Sequence, residues 1–213
     1  MKTDDSTAVE SRIIEAAKRV FVRKGYEATT MNDIASEVGI SRTAMHYYFR
    51  TKEMMFEAIF AQLINAVVPN IDLIMNEDTN ILEKMPRIVD LYITALSENL
   101  LFPLFVINEM NRDPEHLFHA VAKNFGQVQV LVRLRNQVLL EMEQGLLNRL
   151  PLEDVVSTFI GLFVFPVLLR KTLMALFLEG DEGAFLELLN RRRRLTCDVM
   201  RGLLQPVRDE QIS

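Results

Sequence analysis

Apolar residues recur at intervals of three and four along almost the whole chain. That spacing puts them on one face of an α-helix and argues against half-buried strands, whose side chains change face at every residue. Most of the Gly and Pro residues fall between the periodic segments, where turns are needed. The 213 residues therefore read as an all-α fold of about nine helices.

Start and stop signals divide the pattern. Thr7 with Glu10 forms a capping box for a first helix that Gly25 closes. Thr30 with Asp33 starts a second, Ser41 a third, and Thr51-Lys52-Glu53 a longer one expected to stop at Pro69. Asn80 with Glu83 opens a helix toward Glu98, Leu101-Phe102-Pro103 breaks it, and a short segment follows to Met110. Asp113-Pro114-Glu115 starts another, predicted to reach about Leu147 with a break at Gly126. The next runs from Leu150-Pro151 to Leu178, kinked at Pro166, and the last ends near Leu204.

The net charge of −5 is unevenly placed. Residues 11–56 hold eight Lys or Arg against five Asp or Glu, and the remainder of the chain is acidic. A mildly basic segment on an acidic body suits a head that meets a polyanion and a body that does not. The single Cys197 excludes an internal disulfide and suits a reducing, cytoplasmic setting. The N-terminal residues lack a signal-peptide layout, and the uncharged apolar stretch Val155–Leu169 is too short to span a bilayer, so no membrane association is expected.

Residues 33–53 carry the most specific signal. Asp33 to Val38 is a short amphipathic helix, Gly39 a turn, and Ser41 to Phe49 a second short helix. Two short helices about a glycine turn make a helix-turn-helix, whose second helix is the one placed to enter a DNA major groove. Ile34, Val38, Ile40, Met45 and Phe49 supply the buried side. Arg42, Thr43, His46 and Tyr47 are left to project, and such side chains reach base edges or phosphates. The backbone N–H groups at Thr30, at a helix N-terminus, are suited to phosphate.

The runs Ile13-Ile14-Glu15-Ala16-Ala17, Lys24-Gly25-Tyr26-Glu27-Ala28-Thr29-Thr30, Asp33-Ile34-Ala35, Val38-Gly39-Ile40-Ser41, Tyr47-Tyr48-Phe49 and Lys52-Glu53 resemble the N-terminal signature of the TetR family of bacterial transcriptional regulators. The resemblance covers roughly residues 10–60. It implies a three-helix DNA-binding domain over residues 1–51 and an effector-binding and dimerisation domain over 52–213, joined by a connecting helix. It implies base contacts from Arg42 and Thr43, with His46 beside them, and phosphate contacts from Thr30, Ser41, Tyr47 and Lys52. His46 stands where the family usually has Tyr, Thr43-Ala44 where Gly-Thr is frequent, and Arg50 where Pro is common. The implied function is a ligand-responsive repressor that binds a palindromic double-stranded operator as a homodimer.

In the body, residues 152–178 are apolar almost all round, as a helix covered on both sides must be. The last two helices are therefore the expected dimer surface. Arg192 falls on the apolar stripe of the final helix with Leu188, Leu195 and Val199, and calls for an acidic partner, Glu153, Asp154 or a residue of a second subunit. Tyr92, Phe102, Phe105, Asn108, Glu109 and Phe125 are the candidate lining of a pocket for a small hydrophobic effector. His116 and His119 lie three apart, but without Cys or further His they define no metal site. No paired-carboxylate, nucleophile–base or Gly-rich phosphate motif is present, so neither enzyme chemistry nor a cofactor is implied. A DNA-bound adaptor that recruits a protein partner without a small ligand is the alternative.

Overall fold

The computed structural model describes residues 2–123 and 125–206, and among them finds eleven α-helices and no strand. They are α1 (Lys2–Lys24), α2 (Met31–Val38), α3 (Arg42–Tyr48), α4 (Lys52–Met75), α5 (Ile81–Glu98), α6 (Phe102–Arg112), α7 (Pro114–Ala122), α8 (Phe125–Glu143), α9 (Leu152–Leu168), α10 (Arg170–Phe177) and α11 (Glu182–Leu204). By contact they form two compact units, residues 1–66 with 99–126 and residues 67–98 with 127–213. This partition is not the head-and-body division at residue 51, because α6 and α7 pack with the first helices.

In the first unit, Ile13, Ala17, Val20 and Phe21 of α1 meet Ile34 of α2, Met45 of α3 and Met55, Phe56, Ile59 and Phe60 of α4. Phe102 and Phe105 of α6 and Leu117 and Ala120 of α7 complete the same core. Four aromatic rings, Phe21, Phe56, Phe60 and Phe105, lie within 5.1–5.7 Å of a neighbour. In the second unit, α11 packs on α5 and α9, burying Ile81, Ile88, Val89 and Ile93 against Phe163, Phe185, Leu189 and Met200. A buried polar chain joins α5 to α8. Both carboxylate oxygens of Glu141 accept the Ile81 N–H, at 3.0 and 3.1 Å, so a residue of α8 caps the start of α5. Gln137 bridges Glu141 to the buried Lys84 amine.

Several boundaries differ from expectation. The Thr7–Glu10 pair does not begin α1, which already runs from Lys2. Pro69 lies inside α4, which continues to Met75. Proline removes one backbone bond, but Val68, Ile71 and Ile74 are buried around it and their packing carries the helix through. The break expected at Gly126 comes earlier, between Ala122 and Phe125. The helix expected from Leu150 to Leu178 is two, α9 and α10, set at 63°. They part at Leu169, just after Pro166. Arg192 does not pair with Glu153 or Asp154; its guanidinium donates to the Leu162 carbonyl. By length and composition α4 could cross a membrane, contrary to the expectation that no segment is long enough. Its Met55, Phe56, Ile59 and Phe60 are nonetheless core residues of the first unit.

Candidate nucleic-acid interface

The third helix, α3, is seven residues long and is held at its start and from below. Ser41 caps it, its hydroxyl accepting the Ala44 N–H at 3.1 Å. Gly39, at φ 78°, turns the chain from α2 into it, and its N–H returns to the Ala35 carbonyl at 2.9 Å. The space around Gly39 is open, so the left-handed backbone rather than crowding is what favours glycine there. Met45 and Phe49 are buried beneath, with Val38 and Ile40 packed partly against them. A rigid helix fixes where its outward side chains stand.

Those side chains are Arg42, Thr43 and Tyr47, all exposed, the Tyr47 ring by 82 %. His46 is half-buried, and its Nε2 accepts from Arg42 Nε at 3.4 Å. The surrounding charges sharpen this edge. Arg19 and Arg23 of α1 are both paired with Glu37 of α2, at 3.2 and 2.9 Å, and Lys24 with Asp33 at 2.6 Å. The Arg23 and Arg19 bonds hold the Glu37 carboxyl below its ordinary range. Lys24, with Thr30, takes Asp33 down to about 2. Arg19, Arg23 and Lys24 are thus neutralised within the head, whereas Arg12 reaches only the Val38 carbonyl, at 3.5 Å. Arg42 and Arg50 have no carboxylate partner among the described ion pairs, so free positive charge lies at α3.

Two expected phosphate contacts stand differently. The Thr30 N–H is not free: it donates to Asp33 Oδ2 at 2.9 Å, and the Thr30 hydroxyl accepts the Asp33 N–H in return. This capping box commits the Thr30 and Asp33 N–H groups within the head. The Lys52 amine donates to the carbonyls of Tyr26 and Glu27, at 2.7 and 3.2 Å, over the Tyr26 ring. It fastens the α1–α2 turn rather than reaching outward.

The head also matches known proteins. Residues 13–59 fit the model for bacterial regulatory proteins of the tetR family. The head, over residues 13–59, is thus a tetR-family domain. The HTH-type transcriptional regulator YfiR of Bacillus subtilis is 50% identical over 50 residues, 24% of each protein. IcaR of Staphylococcus aureus, a negative transcriptional regulator of the biofilm operon icaADBC, is 33% identical over 66 residues, 29% of this chain and 36% of IcaR. The chain spans less than half the length of either relative. Beyond the tetR-family head the likeness is one of fold: the ketosteroid transcriptional regulator KstR2 of Mycobacterium tuberculosis superposes with a TM-score of 0.66 at 18% identity, covering 92% of this chain and 95% of that one.

The candidate effector residues are divided between the two units. Phe102, Phe105 and Glu109 are buried in the tetR-family head's own unit, the two rings in its aromatic core. Asn108 is exposed. Tyr92 belongs to the second unit, against Phe159 and Phe163, and burial raises its hydroxyl pKa. The side chain of Phe125 lies outside the described residues. What the sequence reading missed is a polar cluster in the first unit. Glu53, Glu109, Arg112 and His116 meet there around Tyr26. Burial, then the bond to Glu53, pushes the Tyr26 hydroxyl well above its ordinary range. The spacing of Glu109, Arg112 and His116 by three and four was the available signal, hidden by the helix break at Asp113.

Proposed function

We propose that this chain is a transcriptional repressor that binds a palindromic operator as a homodimer and leaves it when a small hydrophobic effector binds. The observation that carries the DNA reading is the exposed edge of Arg42, Thr43 and Tyr47 on a capped, core-anchored helix, with His46 alongside. Arg42 reads a guanine through its free terminal nitrogens, Thr43 meets a neighbouring base, and Ser41 and Tyr47 hold phosphate. Repression is supported by the likeness of the head to IcaR, a negative regulator.

Dimerisation is supported by the second unit taken alone. Val156, Ile160 and Phe165 of α9 and Leu195 and Val199 of α11 stay exposed. On α9 they line an open depression of about 480 Å³ with Ser157, Gly161 and Leu168. A second copy of the same face would cover it with two-fold symmetry, and two heads would then meet two half-sites. The effector acts through α4, which starts four residues after α3 ends and runs from the first unit into the second. Thr30 and Lys52 support the head indirectly, by holding its turns. A cytoplasmic location follows from the same reading.

The test is selection of duplexes from a randomised pool by the full chain, followed by titration of the winning sequence. A two-fold symmetric consensus, bound far more tightly than random DNA, is expected. Failure to enrich any sequence overturns the proposal.

A further inference from the structure

One cluster in the first unit joins four elements. His116 of α7 places Nε2 2.7 Å from Glu53 Oε2, in the first turn of α4. Its Nδ1 rests on Oε1 of Glu109, a buried carboxylate of α6. The Tyr26 hydroxyl, from the α1–α2 turn, donates to the same Glu53 oxygen at 2.8 Å. Arg112 binds Glu109 through Nε at 2.9 Å and through Nη2, and reaches Glu27 through Nη1 at 2.6 Å. The other charged neighbours are Asp113, 3.9 Å from Arg112, and the Lys123–Glu57 pair one turn along α4. Lys52 lies over the Tyr26 ring, 4.2 Å from its centroid. The imidazole itself stacks on Phe56, with ring centroids 4.2 Å apart.

Both ring nitrogens of His116 therefore face carboxylate oxygens. A neutral imidazole carries one N–H and can serve only one of them; the imidazolium serves both. We propose that His116 is a proton-operated latch: charged, it clamps the first turn of α4 to α6 and α7, and on losing its proton it lets that turn loosen. Arg112 completes the device. Its Nη2 lies 2.8 Å from Nδ1 and can donate there once the proton has gone. The hold on Glu53 then falls from an ion pair to a hydrogen bond donated by a neutral ring. The titration behaves accordingly. Burial alone would lower the His116 pKa, but the bonds to Glu109 and Glu53 outweigh it and leave it above its ordinary 6.5. Burial likewise pushes Glu53 up, and the His116 and Tyr26 bonds outweigh it and bring it down.

The clamped turn begins at Lys52, and the reading helix ends at Tyr48. On the reading of α3 as the DNA-binding helix, the proton then also governs operator affinity, which weakens as pH rises. The latch and that reading can fail separately.

The experiment uses the full chain, with imidazole proton resonances and amide exchange followed from mildly acidic to mildly alkaline pH. Three histidines, His46, His116 and His119, make the assignment tractable. Protection factors of the Met54 and Met55 amides, which donate to Thr51, should fall about tenfold as His116 titrates. In His116→Gln they should stay low at every pH. Glu53→Gln should lower the His116 pKa and leave that of His119 unmoved. Unchanged protection across the His116 titration, or a His116 pKa indifferent to Glu53→Gln, overturns the latch. A duplex selected from the random pool then reports on the DNA step in a His46→Gln background. Affinity that falls with pH only when His116 is present supports the coupling, and a flat profile in both chains overturns it. If no duplex is enriched, the DNA reading fails while the exchange data still decide the latch.

Discussion

Arg192 donates through Nε and Nη2, at 3.2 and 3.0 Å, to the carbonyl of Leu162. In an unbroken helix that carbonyl would accept the N–H of residue 166, four positions on, but residue 166 is proline and has none. The charged residue on the apolar stripe of α11 thus answers a vacancy in the hydrogen bonding of α9. A partly buried carbonyl without a partner is costly, and this one is supplied from another helix.

The relationship predicts a coupling. Arg192→Met should cost about 1.5–3 kcal/mol, since it removes hydrogen bonds from a charged donor and orphans the carbonyl. In a Pro166→Ala background residue 166 regains an N–H, and the same substitution should cost clearly less. Urea unfolding of the four chains of the cycle measures the difference. Equal costs in the two backgrounds would show that Arg192 acts by packing alone.

Lys52 distinguishes a fastener from a phosphate contact. Because its amine closes the Tyr26 and Glu27 carbonyls, Lys52→Met should lower unfolding stability by about 1–3 kcal/mol. A phosphate contact would instead leave stability alone and reduce the slope of log affinity against log salt by about one. Unfolding and salt titration on the same variant separate the roles. Arg42→Ala should do neither; it should relax preference at one base pair by about 1–3 kcal/mol.

Glu141 is predicted to matter for the second unit. Glu141→Ala would leave the Ile81 N–H and the Gln137 amide short of a buried acceptor. The expected loss is about 2–4 kcal/mol by chemical unfolding. Glu141→Gln retains one acceptor oxygen and should recover part of it.

The head was readable because its requirements are local. Thr30–Asp33 and Ser41 cap where the sequence places them, Gly39 takes the positive φ its position demands, and Met45 and Phe49 are buried. Pairings between distant segments were less accessible. The charges of Arg19, Arg23 and Lys24 count toward a basic head, and only packing of α1 on α2 shows that Glu37 and Asp33 cancel them. His116 read as half of a weak metal pair because Glu53 lies 63 residues away. Phe102 and Phe105 suit a pocket by composition, yet an aromatic that could line a cavity can equally fill a core, and here they fill one.

The exposed face of the second unit supports the final prediction. Ile160 is 41 % exposed on α9, amid Val156, Gly161 and Phe165 along the open depression. A monomer has no reason to keep a row of such residues in water, whereas a two-fold interface sets each against its own copy. Ile160→Glu would place like charges close to one another across that axis, where desolvated repulsion costs several kcal/mol. Light scattering after size exclusion should show wild-type dimers and Ile160→Glu monomers at the same concentration. Circular dichroism should report unchanged helix content, since the side chain faces outward within its own subunit. Binding to a palindromic duplex should collapse to the strength of a single half-site. A dimer that survives the substitution would place the interface elsewhere on the chain.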